Sequence, residues 1–162
     1  MFKLEQYFKD KKHLKFTMPE TPELSWHEVL DCLDFNVKNN YYIKTLNNFG
    51  IVVHNTTIIK QIQPILEWFS SLDTDRPASA HAYISLTSQS ETFGWHSDTS
   101  EVLFWQCIGS TQFSILEEGE IISYKLEKND MLYIPSGVKH NTQPLGPRVG
   151  ISLGIDSENE NY

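Results

Sequence analysis

The chain has 162 residues, 40% hydrophobic, 12% aromatic and 21% charged, a composition that excludes a disordered segment and a length that suits one domain, residues 1–162. With 13 Lys and Arg against 21 Asp and Glu the net charge is −8, which argues against a nucleic-acid partner, because such binding depends on neutralising phosphates. No apolar run reaches the ~18 residues of a membrane span, Met1–Glu5 meets charge at once where a secretory segment would be apolar, and Cys32 and Cys107 lack CxxC spacing; a reducing cytoplasm is the expected location.

Residues 1–24 are mixed in character and end in a stretch containing Pro19 and Pro22; the cluster Lys9, Lys11, Lys12 and Lys15 reads as a solvated segment. Ser25 and Glu28 have capping-box spacing at the head of a helix whose apolar face is Trp26, Val29, Leu30 and Leu33. Asn36 to Asn40 reads as a turn, and Phe49 to Val53 as a short strand. A second helix is expected from about Thr56 to Leu72, with Pro64 kinking it or moving its start. Beyond residue 79 the pattern shortens to that of strands, expected at His81–Thr87, Glu101–Ile108, Thr111–Leu116, Ile121–Leu126, Met131–Ile134 and Arg148–Ile155. Residues 157–162 form an acidic tail. Helices followed by many short strands predict a mainly β protein, an antiparallel jelly roll over 80–156 with the helical part, 1–79, packed on one face.

Two segments carry chemistry. In Gly94-Trp95-His96-Ser97-Asp98 the His and Asp are two apart, so on extended chain they face the same way and can converge on a metal. In Pro135-Ser136-Gly137-Val138-Lys139-His140 a turn delivers a second His to a strand entry, a spacing that resembles the second cupin motif. Two imidazoles and one carboxylate make the facial triad of non-haem Fe(II) oxygenases, with positions left open for cosubstrate and oxygen. His96, Asp98 and His140 are the expected ligands.

The run from Gly94 to Ile115 extends the pattern: the H-x-D pair, the apolar stretch Val102–Trp105, then Gln106-Cys107-Ile108-Gly109 and Thr111. It resembles the JmjC and ribosomal-oxygenase branch of the 2-oxoglutarate (2OG) oxygenases, where H-x-D is followed by an apolar strand, Q-x-x-G and a basic residue two positions later. With the Pro-x-Gly-x-x-His segment the resemblance covers about residues 80–155. It implies a double-stranded β-helix, Fe(II), 2OG, and hydroxylation of a substrate C–H, or demethylation by that route. One position departs from the pattern: the basic residue that binds 2OG in that branch is Thr111 here, and a hydroxyl donates a hydrogen bond without neutralising a carboxylate.

Arg148 is the expected replacement. The run His140 to Arg148 reads as a strand end, a turn around Pro144 and a return strand that brings Arg148 back beside His140. Prolyl-hydroxylase-like 2OG oxygenases carry an Arg at a similar offset after the distal His, and a guanidinium presents two donors to one carboxylate. Arg148, Gly150, Ser152 and Gly154 share one face of that strand, which leaves room for a ligand; Val149, Ile151, Leu153 and Ile155 share the other and would pack under the helices. Tyr83, on the same side of its strand as His81, Ser85 and Thr87, is a candidate donor to the 2OG carboxylate. Trp95 and Trp105 are expected in the core, with the lining of a substrate mouth as the alternative; His13, His27 and His54 are read as structural or exposed.

These readings predict an Fe(II)- and 2OG-dependent dioxygenase acting on a protein, a peptide or a small molecule, with a homodimer as a further expectation. Two alternatives stay open: a metal-dependent cupin that does not use 2OG, with Glu101 as a further ligand, and a jelly roll that binds a small molecule without turnover.

Overall fold

A computed structural model describes residues 2–18 and 20–156; the acidic tail, 157–162, lies outside the described residues. In chain order the elements are α1 (Phe2–Asp10), β1 (Leu14–Thr17), α2 (Trp26–Lys38), β2 (Ile43–Leu46), a 3-10 turn (Asn47–Phe49), β3 (Gly50–Val53), α3 (Ile62–Ser70), β4 (Ala78–Ser85), β5 (Glu101–Ile108), β6 (Thr111–Glu117), β7 (Glu120–Leu126), β8 (Asp130–Ile134), β9 (His140–Pro144) and β10 (Arg148–Ile155).

The strands form two antiparallel sheets. One has seven strands in the order β1-β8-β5-β10-β4-β3-β2, the other three in the order β7-β6-β9. Side chains alternate across each strand, so the large sheet buries two separate sets. Val102, Phe104, Leu132 and Ile134 meet Phe113, Ile115 and Leu126 of the small sheet. Leu103, Trp105, Ile151 and Leu153 turn the other way, onto Phe8 of α1, Val29 of α2 and Ile65 and Phe69 of α3. The helices therefore cover the outer face of the large sheet, and the interior between the sheets is free to hold a site.

Gly150 of β10 shows how closely that interior is fitted: a Cβ there would lie 2.0 Å from Cζ of Phe104. The ring of Phe104 lies across the gap the glycine leaves, edge to face with Phe113 at 4.8 Å between centroids.

Several local expectations change. Ser25 caps α2 through the expected box with Glu28, but the helix runs on through Asn36, whose amide donates to Cys32 O and Asn55 O, both at 2.8 Å. The buried face is accordingly Val29, Cys32 and Asn36, while Leu30 is 58% exposed. Pro64 moves the start of α3 to Ile62, which places it in the first turn, where its missing N–H costs nothing. The strand expected near Phe49 to Val53 is β3, and β1 and β2 join the large sheet as well, so the stretch 1–79 is less helical than expected. Of the basic cluster, Lys11 is ion-paired with Glu101 and Lys15 with Asp130 at 2.9 Å; only Lys9 and Lys12 keep the solvated role. No helix among the described residues is long and apolar enough to cross a membrane.

Candidate metal centre

Residues 91–98 are not a regular strand. They form one antiparallel bridge with the small sheet, His96 opposite His140, with His96 N–H donating to His140 O at 3.0 Å and the reverse bond at 2.8 Å, and Thr92 Oγ1 also donates to Thr142 O of β9 at 2.9 Å. Directly opposed residues of an antiparallel pair project to the same side, and the two imidazoles lie 4.4 Å apart between centroids. Asp98, two residues on, joins them from that side. His140 Nε2 lies 3.5 Å from Asp98 Oδ2, and His96 Nε2 lies 3.8 Å from Asp98 Oδ1. One donor atom from each residue falls within a 4.8 Å cluster, a spacing that suits a shared ion.

The ring tautomers follow from the chain. Nδ1 of His96 faces Gly94 O at 2.9 Å, and Nδ1 of His140 faces Val138 O at 3.0 Å. A carbonyl only accepts, so both Nδ1 atoms carry a proton, which in a neutral ring leaves the Nε2 lone pair facing the cluster, as metal-binding imidazoles require. Burial and the neighbouring His96 lower the pKa of His140, against the opposing pull of Val138 O and Asp98. That favours the neutral, ligating form.

The triad opens into a pocket also lined by Tyr83, Phe104 and Arg148. Arg148 pairs with Ser85 across β10 and β4, is 3% exposed and projects from the inner face of β10. Its Nε donates to Ser85 Oγ at 3.2 Å, its Nη1 donates to Thr111 Oγ1 at 3.1 Å, and its Cζ sits 5.9 Å from the Phe104 ring centroid. Among the described residues no carboxylate pairs with it, and burial pulls its pKa down to about 10. A buried cation with only hydroxyls and a ring for partners has donors left for an anion. Tyr83, half-buried on the same wall, has its phenol pushed up to about 12 by burial first and by Asp98 second, so it is a hydrogen-bond donor at neutral pH.

Thr111 stands otherwise than expected. Its hydroxyl accepts from Arg148 and gives its one proton to Gln106 Oε1 at 2.7 Å, and Gln106 in turn donates to Ile108 O at 2.8 Å. With that proton spent, Thr111 holds the guanidinium and has none to offer a ligand carboxylate. Gln106, Ser85 and Phe104 were not singled out in the sequence; the Q-x-x-G segment and the shared face of Tyr83 and Ser85 were the available signals for two of them, and Phe104 had none.

Glu101 lies away from the triad. Odd-numbered residues of β5 face the helices, so its carboxylate, 2% exposed, accepts from Tyr133 Oη at 2.6 Å on the outer side of the sheet. This parity overturns its expected place as a further ligand. Trp105 is buried beneath the helices as expected, but Trp95 is 41% exposed and outside the core.

No sequence-family model and no curated protein matches the chain. Solved structures do. That of E. coli YcfD superposes with a TM-score of 0.74 and 16% identity, over 96% of this chain and 52% of that one. The complex of YcfD, described as a ribosomal oxygenase, with cobalt and 2-oxoglutarate gives 0.72 and 16%, over the same shares. An oxalate decarboxylase of Lactobacillus farciminis gives 0.53 and 13%, over 74% of this chain and 32% of that one. The fold is the double-stranded β-helix. In it β4, β10, β5 and β8 are the central strands of the large sheet, β9, β6 and β7 form the small one, and the bridge segment at His96 stands where an eighth strand would run. The chain spans about half the length of YcfD.

Proposed function

We propose that the chain is an Fe(II)- and 2-oxoglutarate-dependent oxygenase that oxidises a C–H bond of a protein, peptide or small-molecule substrate. The observation that carries this reading is Arg148: a buried guanidinium without a carboxylate partner among the described residues, lining the same pocket as His96, Asp98 and His140. The residues fit both groups. Two neutral imidazoles and a carboxylate suit a ferrous ion and leave coordination positions open, and a planar fork of donors suits the distal carboxylate of a 2-oxo acid. The likeness of the sequence to the JmjC and ribosomal-oxygenase branch, and the fold shared with a protein solved with cobalt and 2-oxoglutarate, support the same assignment.

In this reading His96 and His140 bind through Nε2, their tautomers set by Gly94 O and Val138 O, and Asp98 supplies the one anionic ligand. Arg148, braced by Ser85, Thr111 and Phe104, receives the distal carboxylate of 2OG, with the Tyr83 phenol as a further donor. Phe104 and Phe113 supply apolar wall to the pocket. With both groups bound, Fe(II) and 2OG supply the oxidising chemistry, in which oxygen converts 2OG to succinate and carbon dioxide and a substrate C–H is oxidised. The acidic net charge favours a substrate other than nucleic acid.

The test is anaerobic titration of the metal-free protein with Fe(II) and then 2OG, following the visible charge-transfer band of chelated 2OG. The band is expected in the wild type and absent in His140→Ala. In Arg148→Ala it requires about ten- to a hundredfold more 2OG, the loss of ~1.5–3 kcal/mol from a charged hydrogen-bonded pair. Iron binding with no band at any 2OG concentration would instead select a cupin that works without 2OG, the reading that the absence of a basic residue at Thr111 favours.

A further inference from the structure

Glu101 follows Asp98 by three residues yet points to the opposite side of the sheet, where it is buried in a cluster of charge. Its Oε1 is paired with the ammonium of Lys11, beyond the end of α1, and lies 3.9 Å from Arg76 Nη2. Its Oε2 accepts from Tyr133 Oη at 2.6 Å and from Ser136 N–H at 3.3 Å. Burying such a group is costly, and an apolar side chain would suit that core at least as well for stability alone. What the cluster does is visible at Ser136.

Pro135 to Val138 form a turn closed by Val138 N–H donating to Pro135 O at 3.2 Å. Gly137 has φ +80° while Ser136 is not in the left-handed region, which makes it a type II turn. The turn spends its polar groups on the two halves of the metal centre. Gly137 N–H donates to Asp98 O at 2.8 Å, Ser136 Oγ donates to Thr99 O at 2.6 Å, and Val138 O takes the Nδ1 proton of His140. It is thus a strut between one ligand and another, and the carboxylate of Glu101 is the charged group that grips it from behind. Tyr133, on the strand that runs into the turn, fixes that carboxylate from the other side.

We propose that Glu101 is a positioning residue for the metal centre: by holding Ser136 N–H it sets the turn that spaces Asp98 from His140. The inference rests on the reading of His96, Asp98 and His140 as metal ligands. It requires the metal site to lose affinity, and to change its coordination spectrum, when a carboxylate that never touches the metal is removed.

The experiment titrates the full metal-free chain with Co(II), a probe that oxygen does not consume under these conditions, reading the visible d–d absorption alongside thermal unfolding. Glu101→Ala is expected to weaken Co(II) binding at least about tenfold, the scale seen when groups orienting metal ligands are removed, and to alter the band. Glu101→Gln, whose amide oxygen still accepts from Ser136, recovers most of both. Ser136→Pro tests the same contact from the turn side: proline suits the second position of a type II turn and removes the N–H in question. Phe69→Leu, in the core under α3, sets the comparison for lost stability alone, with a lower Tm and an unchanged Co(II) midpoint.

Wild-type binding with Glu101→Ala or Ser136→Pro matching it in affinity and band would overturn the positioning role and leave the metal centre standing. So would a Phe69→Leu loss as large as theirs at equal Tm. A wild type that takes up no Co(II) would remove the metal centre and this inference together. If Glu101→Ala does not fold, Glu101→Gln and Ser136→Pro decide the question on the same scale.

Discussion

At the scale of single residues, Arg148 and the histidines set the conditions under which the protein is stable and loaded. A guanidinium that is 3% exposed and faces hydroxyls and a ring costs the ligand-free fold desolvation that no paired carboxylate among the described residues offsets. Arg148→Met, of similar length and uncharged, is therefore expected to leave the Tm of the ligand-free protein unchanged or higher, while abolishing any stabilisation by added 2OG; paired thermal scans check it. His81 and His140 both have pKa values lowered, chiefly by burial. Below about pH 6.5 the unfolded chain takes up protons that the folded one refuses, so stability falls as pH drops from there through the depressed folded values. Metal-free protein should melt lower at pH 5 than at pH 7.5, and His81→Asn should flatten that difference. Much of this scale was legible, because the two-residue alternation of extended chain alone puts His96 beside Asp98 and Arg148 on the face of Gly150. The direction of the Thr111 proton was not. It depends on Gln106 reaching back across the 108–111 turn, which no spacing in the sequence encodes.

Among the elements, strands inside the barrel and β3 near its margin were readable, while the edge strands β1 and β2 were not. β5 and β10 have matching strand bounds in sequence and structure because each carries an uninterrupted alternation or apolar run between turn residues. β1 and β2 are four residues each, Leu-Lys-Phe-Thr and Ile-Lys-Thr-Leu, and become strands by pairing with β8 and β3. Pairing of β1 with β8 brings together Leu14 and Tyr133, far apart in the chain, so no local pattern announces it. The close approach of Phe104 to Gly150 is likewise a property of two strands at once. Gly150→Ala would drive a methyl into that ring, and overpacking of this kind costs about 1–3 kcal/mol. Because Phe104 also leans on Arg148, the expected result combines a lower Tm with weaker 2OG binding, whereas Leu30→Ala on the exposed side of α2 should change neither.

For the molecule as a whole, a ligand that binds only the folded state adds to its stability by mass action. At a hundred times Kd this amounts to about 2.7 kcal/mol, which for a chain of this size corresponds to a rise in Tm of about 5–11 °C. Metal alone should produce that rise, a chelator should reverse it, and His96→Ala should show neither; a scan with and without metal decides. The helices on the outer face take no direct part. Their contribution is to hold one side of β5 and β10 so firmly that the inner side can keep glycine, serine and a buried arginine with no carboxylate partner among the described residues.

The single bridge between His96 and His140 also makes the centre a clock. Two amide protons, each bonded to the other residue's carbonyl, are all the backbone bonding that the bridge supplies between residues 91–98 and β9, and the two side chains above them are proposed metal ligands. In metal-free protein those amides should exchange with deuterium on the timescale of a local opening, far sooner than those of β10, which has partners on both edges. Metal at a hundred times Kd should slow them about a hundredfold, since the bridge then opens only when the ion has left. Occupancy of the site could be read in this way from two backbone protons, without any substrate.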